Sequence, residues 1–101
     1  MQTIDFTLQN FTGFDCGKKT TVRLGQKSYQ LGPVKLICSE EQLEYDSEII
    51  EIRVIRFGDI GLLEANADGF NTVETLRNEL ENIHQKYVSD YEPVTILRFK
   101  I

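Results

Sequence analysis

The 101-residue sequence contains no tryptophan, one histidine, one methionine, two cysteines and two prolines. Each scarcity closes off a class of function. A single histidine, His84, cannot build a histidine-rich metal centre, and no Ser-His-Asp arrangement has other support, so a structural role is expected for it. Cys16 and Cys38 stand alone, without a CxxC pair or the clustered Cys/His spacing of a zinc site. They read as reduced, core-filling thiols, and no metal or other cofactor is expected. No apolar run approaches the ~20 residues that a membrane-spanning helix needs. The segment Met1 to Leu8 lacks a basic stretch followed by an apolar one, and Asp5 falls where a leader would be apolar, so a cytoplasmic location with no membrane attachment is the expectation. With 41% hydrophobic and 27% charged residues, the composition fits one domain over residues 1–101.

What is present in quantity is acid. The formal net charge of −5 argues against a domain that coats nucleic acid by bulk electrostatics. The distribution is uneven, however. From Cys16 to Ser39 the chain carries Lys18, Lys19, Arg23, Lys27 and Lys35 and no acid, while Glu40 to Glu51 carries six acids and no base. A local positive patch of this kind suits one phosphate-bearing ligand or a short RNA segment.

Hydrophobic periodicity predicts a mainly β chain with helices. Residues 3–8 alternate, with Ile4, Phe6 and Leu8 on one face. Phe11 and Phe14 suggest one or two helical turns closed by Gly17. Residues 20–24 form a second strand, with Thr20, Val22 and Leu24 facing one way and Lys19, Thr21 and Arg23 the other. Val34, Leu36 and Cys38 mark a third strand, residues 40–47 read as an acidic loop, and residues 48–57 alternate as a long fourth strand with Ile50, Ile52 and Val54 on one face. Asp59 is placed to cap a short helix over 60–68, and Asn71 with Glu74 resembles a capping box opening a second helix. The stripe Val73, Leu76, Leu80, Ile83 and Tyr87 lays that helix on the sheet. Residues 94–101 close the chain as a strand. Consecutive, half-apolar strands favour a small mixed or antiparallel β-barrel with α+β content over an alternating α/β fold.

Gly17-Lys18-Lys19-Thr20 has the flavour of a phosphate-binding loop, but Gly13 is one residue too close and Lys19 stands where Ser or Thr belongs. A nucleotide triphosphatase is therefore excluded. The longer run Gly17-Lys18-Lys19-Thr20-Thr21-Val22-Arg23-Leu24-Gly25 instead resembles the N-terminal motif of the ASCH domain family (activating signal cointegrator homology), a member of the PUA-like group. Phe57-Gly58-Asp59-Ile60, then Ala65 and Ala67-Asp68-Gly69-Phe70, are similar to that family's motif before its main helix, and Val94-Thr95-Ile96-Leu97-Arg98-Phe99 is similar to its closing strand.

The resemblance implies a PUA-like barrel with one short N-terminal helix, two helices before the last strand, and a cleft for a nucleobase or RNA ligand. A short bacterial branch of the family hydrolyses the acetyl amide of N4-acetylcytidine with a lysine, a threonine and a glutamate. Carried over, the threonine falls on Thr21 and the glutamate on Asp68. The lysine is Lys19 counted from Gly17 and Lys18 counted back from Thr21, because this sequence is one residue shorter there. Side-chain parity favours Lys19 if the strand already includes it, whereas a strand beginning at Thr20 leaves Lys18 equally good. In this chemistry Thr21 is the nucleophile, a lysine the base and Asp68 an acidic partner that holds the substrate's base edge or handles a proton. The alternative is a non-catalytic RNA-binding module, with Arg23 and Lys27 beside the lysines as phosphate contacts and Tyr29 or Phe70 stacking on a base.

Overall fold

The structure is a computed structural model that describes residues 2–16 and 18–100, the Cys16 side chain excepted. Runs of β-branched and alternating residues form five strands: β1 (Gln2–Asp5), β2 (Thr20–Leu24), β3 (Gly32–Cys38), β4 (Leu43–Arg56) and β5 (Pro93–Phe99). Helices α1 (Leu8–Thr12), α2 (Leu62–Ala67) and α3 (Val73–His84) lie between them, and short 3-10 turns at Gly13–Cys16 and Phe57–Asp59 lead into β2 and α2. The strands make one sheet in the order β1-β3-β4-β5-β2. β1 runs parallel to β3, and every other pairing is antiparallel. The sheet curls into a half-barrel, the small PUA-like α+β architecture that the sequence predicts.

β5 lies between β4 and β2 and is buried on both faces, so its residues divide two cores. Val94 and Ile96 join Val22, Leu24, Phe57, Leu76 and Leu80 under α2 and α3. Leu97 and Phe99 join Ile4, Phe6, Phe14, Val34, Leu36 and Ile49 on the other side. A register irregularity between Ile49 and Glu51 reverses the parity of β4 at Ile50. Ile49 is buried in consequence and Ile50 is 45% exposed, against the expected face of Ile50, Ile52 and Val54.

Several boundaries differ from the sequence reading. The acidic stretch 43–47 is strand rather than loop, because β4 pairs with β3 from Leu43 onward and Lys35 meets Glu44 and Asp46 across the pair. The first strand ends at Asp5, and Leu8, expected on its apolar face, begins α1 under the cap of Thr7. Asp59 caps nothing, since it lies in the 3-10 turn and Gly61 occupies the N-cap of α2. The capping box of α3 belongs to Thr72 and Thr75, one residue on from Asn71 and Glu74. Tyr87 lies beyond α3 and is 72% exposed. Cys38 is buried and free, as expected. The readings placed on Gly17 and Ile101, and on the Cys16 side chain, fall outside the described residues. No helix among the described residues is long and apolar enough to cross a membrane.

The curled sheet leaves a seam, because β1 and β2 are its two edges and do not pair with one another. Two contacts bridge it. The Arg23 guanidinium donates to the Asp5 carbonyl at 2.9 Å and lies 4.7 Å from the centre of the Phe6 ring. Below it, the Gln2 side chain donates to the Gln30 carbonyl at 2.6 Å and accepts from the Gln30 N–H, tying the β2–β3 loop to β1.

Candidate functional site

The seam opens into a cleft between Asp5-Phe6-Thr7, the edge of β2 and the facing side of α3. It holds about 560 Å³, open solvent at its mouth included. Lys18, Thr21, Arg23, Asp68 and Phe70 all line it.

The centre of the cleft is an ion pair. Lys18 Nζ lies 2.8 Å from Asp68 Oδ1, with the two side chains 3% and 4% exposed. The other carboxylate oxygen accepts the Val22 N–H at 3.3 Å. Burial, the largest influence, pushes the Asp68 carboxyl up to about 6, while Lys18, the Val22 N–H and Arg23 pull the other way. The Lys18 ammonium also lies 5.2 Å from the ring centres of both Phe6 and Phe14, so aromatic faces replace part of the water it has lost.

The local chain explains why these residues meet. Asp68 is the C-terminal cap of α2, and Gly69 follows it with φ +89, the left-handed turn that glycine adopts without strain. The Gly69 and Phe70 amides return to the Asn66 and Ala65 carbonyls, which fixes the aspartate at the helix end. Lys18 is held from both sides, its own N–H donating to Gly13 and that of Lys19 to Ala67. A Cβ on Gly13 would come within 3.2 Å of Lys18 Cδ, so glycine leaves room for the lysine stem.

Because β2 begins at Thr20, parity does not carry back to the lysines, and it is Lys18 that lines the cleft while Lys19 is exposed and outside it. Thr21 is 4% exposed. Phe70 is half-buried at the cleft wall. Lys27 and Tyr29 are outside the lining: the Lys27 N–H is bonded to Thr95 Oγ1, and Tyr29 packs against the second core near Arg23. The expected basic patch does not form one surface, since Lys18 is buried against Asp68 and Lys35 faces the acids of β4.

The sequence reading missed several residues that the fold brings to the cleft. Glu79 lines it and accepts from Asn10 Nδ2 at 3.1 Å. The signal was a carboxylate set within the apolar stripe of Leu76, Leu80 and Ile83. His84, expected to be structural, is exposed at the cleft lining. Partial desolvation, then Lys27, Lys86 and Arg23, hold it below the ordinary histidine value. Asp5 is engaged elsewhere, accepting from the hydroxyl and N–H of Ser39, which lower its carboxyl below the usual range.

No protein-family model and no curated protein matches the chain. Among solved structures, the ASCH domain of Lactobacillus crispatus JV V101 superposes with a TM-score of 0.74 at 11% identity, over 98% of this chain and 77% of that one. A DUF984-family protein of Enterococcus faecalis V583 superposes with a TM-score of 0.66 at 10% identity, over 94% of this chain and 67% of that one. The fold of this chain is that of an ASCH domain.

Proposed function

We propose that the protein is an amidohydrolase that removes the acetyl group of N4-acetylcytidine or a closely similar acylated pyrimidine nucleoside in the seam cleft. The observation that carries this reading is the meeting of Lys18, Thr21 and Asp68 in one small cleft, from separate segments of the chain. The resemblance assigns a lysine, a threonine and a glutamate to this reaction, and Asp68 stands in the place of the glutamate. Asp68 is one methylene shorter than the expected glutamate, yet it reaches Lys18 at 2.8 Å.

In the proposed reaction the Thr21 hydroxyl attacks the amide carbonyl carbon, and its proton passes to the Lys18–Asp68 pair acting as one proton-handling unit. A carboxyl at about 6 is well placed to exchange protons near neutral pH. The cations of Lys18 and Arg23 face the developing oxyanion. The C–N bond breaks, the pyrimidine N4 leaves with the returned proton as cytidine, and water then cleaves the Thr21 ester to release acetate. Phe70, at the wall, offers a face for the pyrimidine.

The test is to incubate the protein with N4-acetylcytidine and follow cytidine by chromatography, with Thr21→Ala and Thr21→Ser alongside. Turnover abolished by alanine and partly restored by serine is expected. Absence of cytidine at high protein concentration, or equal turnover by the alanine variant, overturns the reading.

A further inference from the structure

Among the described residues three carboxylates line the seam cleft, and two of them are fully engaged by the protein. One oxygen of Asp5 accepts the Ser39 N–H and the other its hydroxyl. Those of Asp68 hold Lys18 and the Val22 N–H. Glu79 differs. Its Oε2 accepts from Asn10 Nδ2 at 3.1 Å, its Oε1 has no hydrogen-bond partner among the described residues, and it forms no ion pair among them. Thr7, the cap of α1, accepts the Asn10 N–H at 3.3 Å and so fixes Asn10 in the first turn, facing α3. A carboxylate only accepts, so Asn10 turns its amide nitrogen to Glu79 and its Oδ1 is the end left without a partner. The pair therefore brings two free acceptor oxygens to a wall otherwise made of Leu76, Leu80 and Ile83.

Two free acceptors match a ligand group that donates twice. On an acylated pyrimidine nucleoside the base edge presents acceptors at O2 and N3, which need donors such as Lys18 and Arg23. The ribose presents two neighbouring hydroxyls, and a carboxylate accepting from a ribose 2′-hydroxyl is a recurring solution in nucleotide sites. We infer that Glu79 accepts from the 2′-hydroxyl and Asn10 Oδ1 from the 3′-hydroxyl of a ribonucleoside, so that this pair makes the cleft selective for ribose over 2′-deoxyribose. The ribose site rests on the nucleoside reading proposed above, and it does not require that hydrolysis take place.

The experiment is an amide-resolved NMR titration of the intact chain with cytidine and, separately, with 2′-deoxycytidine. Saturable binding roughly tenfold tighter for cytidine is expected, because the deoxynucleoside leaves a carboxylate acceptor unfilled. In Glu79→Ala the ratio of the two affinities should fall to near one, and in Glu79→Gln, which keeps the length of the side chain and serves if the alanine variant does not fold, it should fall partway. A glutamate that only ties α1 to α3 would weaken both nucleosides alike and leave the ratio unchanged. A preference for cytidine that Glu79→Ala removes supports the ribose site even if N4-acetylcytidine is not hydrolysed, a result that overturns the reaction alone. Hydrolysis of N4-acetylcytidine and its 2′-deoxy counterpart with equal kcat/KM keeps the reaction and overturns the ribose site. Equal affinity of the parent for the two nucleosides, or shifts that fail to saturate with either, overturns it as well.

Discussion

Lys18 Nζ and Asp68 Oδ1 meet at 2.8 Å in the wall of the cleft, each side chain almost wholly shut off from water. A buried pair of this kind is costly to break on one side only, since the remaining charge has no solvent to fall back on.

The Asp68 carboxyl, pushed up by burial to about 6 from an ordinary value of 3.8, binds its proton more tightly in the fold than in the unfolded chain. A group with a raised folded value contributes its full stability below the unfolded value, and the contribution is lost as pH rises through the folded one. Between about pH 4 and pH 6 the parent should lose roughly 3 kcal/mol relative to Asp68→Asn. Urea denaturation of both proteins across this range checks it. A difference that stays constant with pH would remove Asp68 as the cause.

Replacing Lys18 by Met leaves Asp68 buried without its counter-ion. Chemical denaturation at pH 7 should show a loss of roughly 3–5 kcal/mol. Much of it should return when Asp68→Asn is added, giving a large coupling in the double-mutant cycle. Additive losses would mean that the two side chains do not depend on one another.

Gly13 sits in ordinary right-handed helical geometry, with φ −57 and ψ −28, so alanine is tolerated by the backbone there. Its methyl would nevertheless press on Lys18 Cδ at 3.2 Å. Gly13→Ala should therefore leave the melting temperature within a few degrees while lowering the proposed N4-acetylcytidine turnover several-fold, because the lysine stem must give by a few tenths of an ångström. Unchanged turnover would show that the lysine stem has slack.

Arg23 ties the two sheet edges through the Asp5 carbonyl and the Phe6 ring. Arg23→Gln should cost roughly 1–3 kcal/mol in denaturation experiments. Amide hydrogen exchange should rise in β1 and β2 before it rises in β4. Exchange that rises evenly over the sheet would argue against a local seam.

The parts of the fold legible in the sequence are those where one face decides. The stripe Leu76 and Leu80 of α3 reads directly from period, because burial is one-sided there; the strand over Thr20–Leu24 reads from its alternation of apolar and polar residue types, although both of its faces are buried. The start of β4 was hidden, since Leu43 to Asp46 are exposed on the strand and held by pairing with β3 rather than by an apolar face. Parity through Ile50 failed for a similar reason, as a bulge leaves no mark in composition.

At the site, Thr21 and Asp68 were legible through short motifs, but the choice of lysine was not. It depends on where β2 begins and on the closeness of Gly13, neither of which spacing alone records. Glu79 and Asn10 come from different helices and meet only in the folded chain.

The seam also bears on how the protein behaves in a crowded solution. An unpaired strand edge is a template for another chain, and here the Asp68 carboxylate occupies the outward Val22 amide. The same atom that holds Lys18's partner in place thus acts as a guard against strand addition. Variants stripped of that carboxylate, such as Asp68→Ala, would leave the Val22 amide without its acceptor and offer β2 to the edge of a second molecule, so a loss of the proposed activity at residue 68 would come together with a tendency to self-associate.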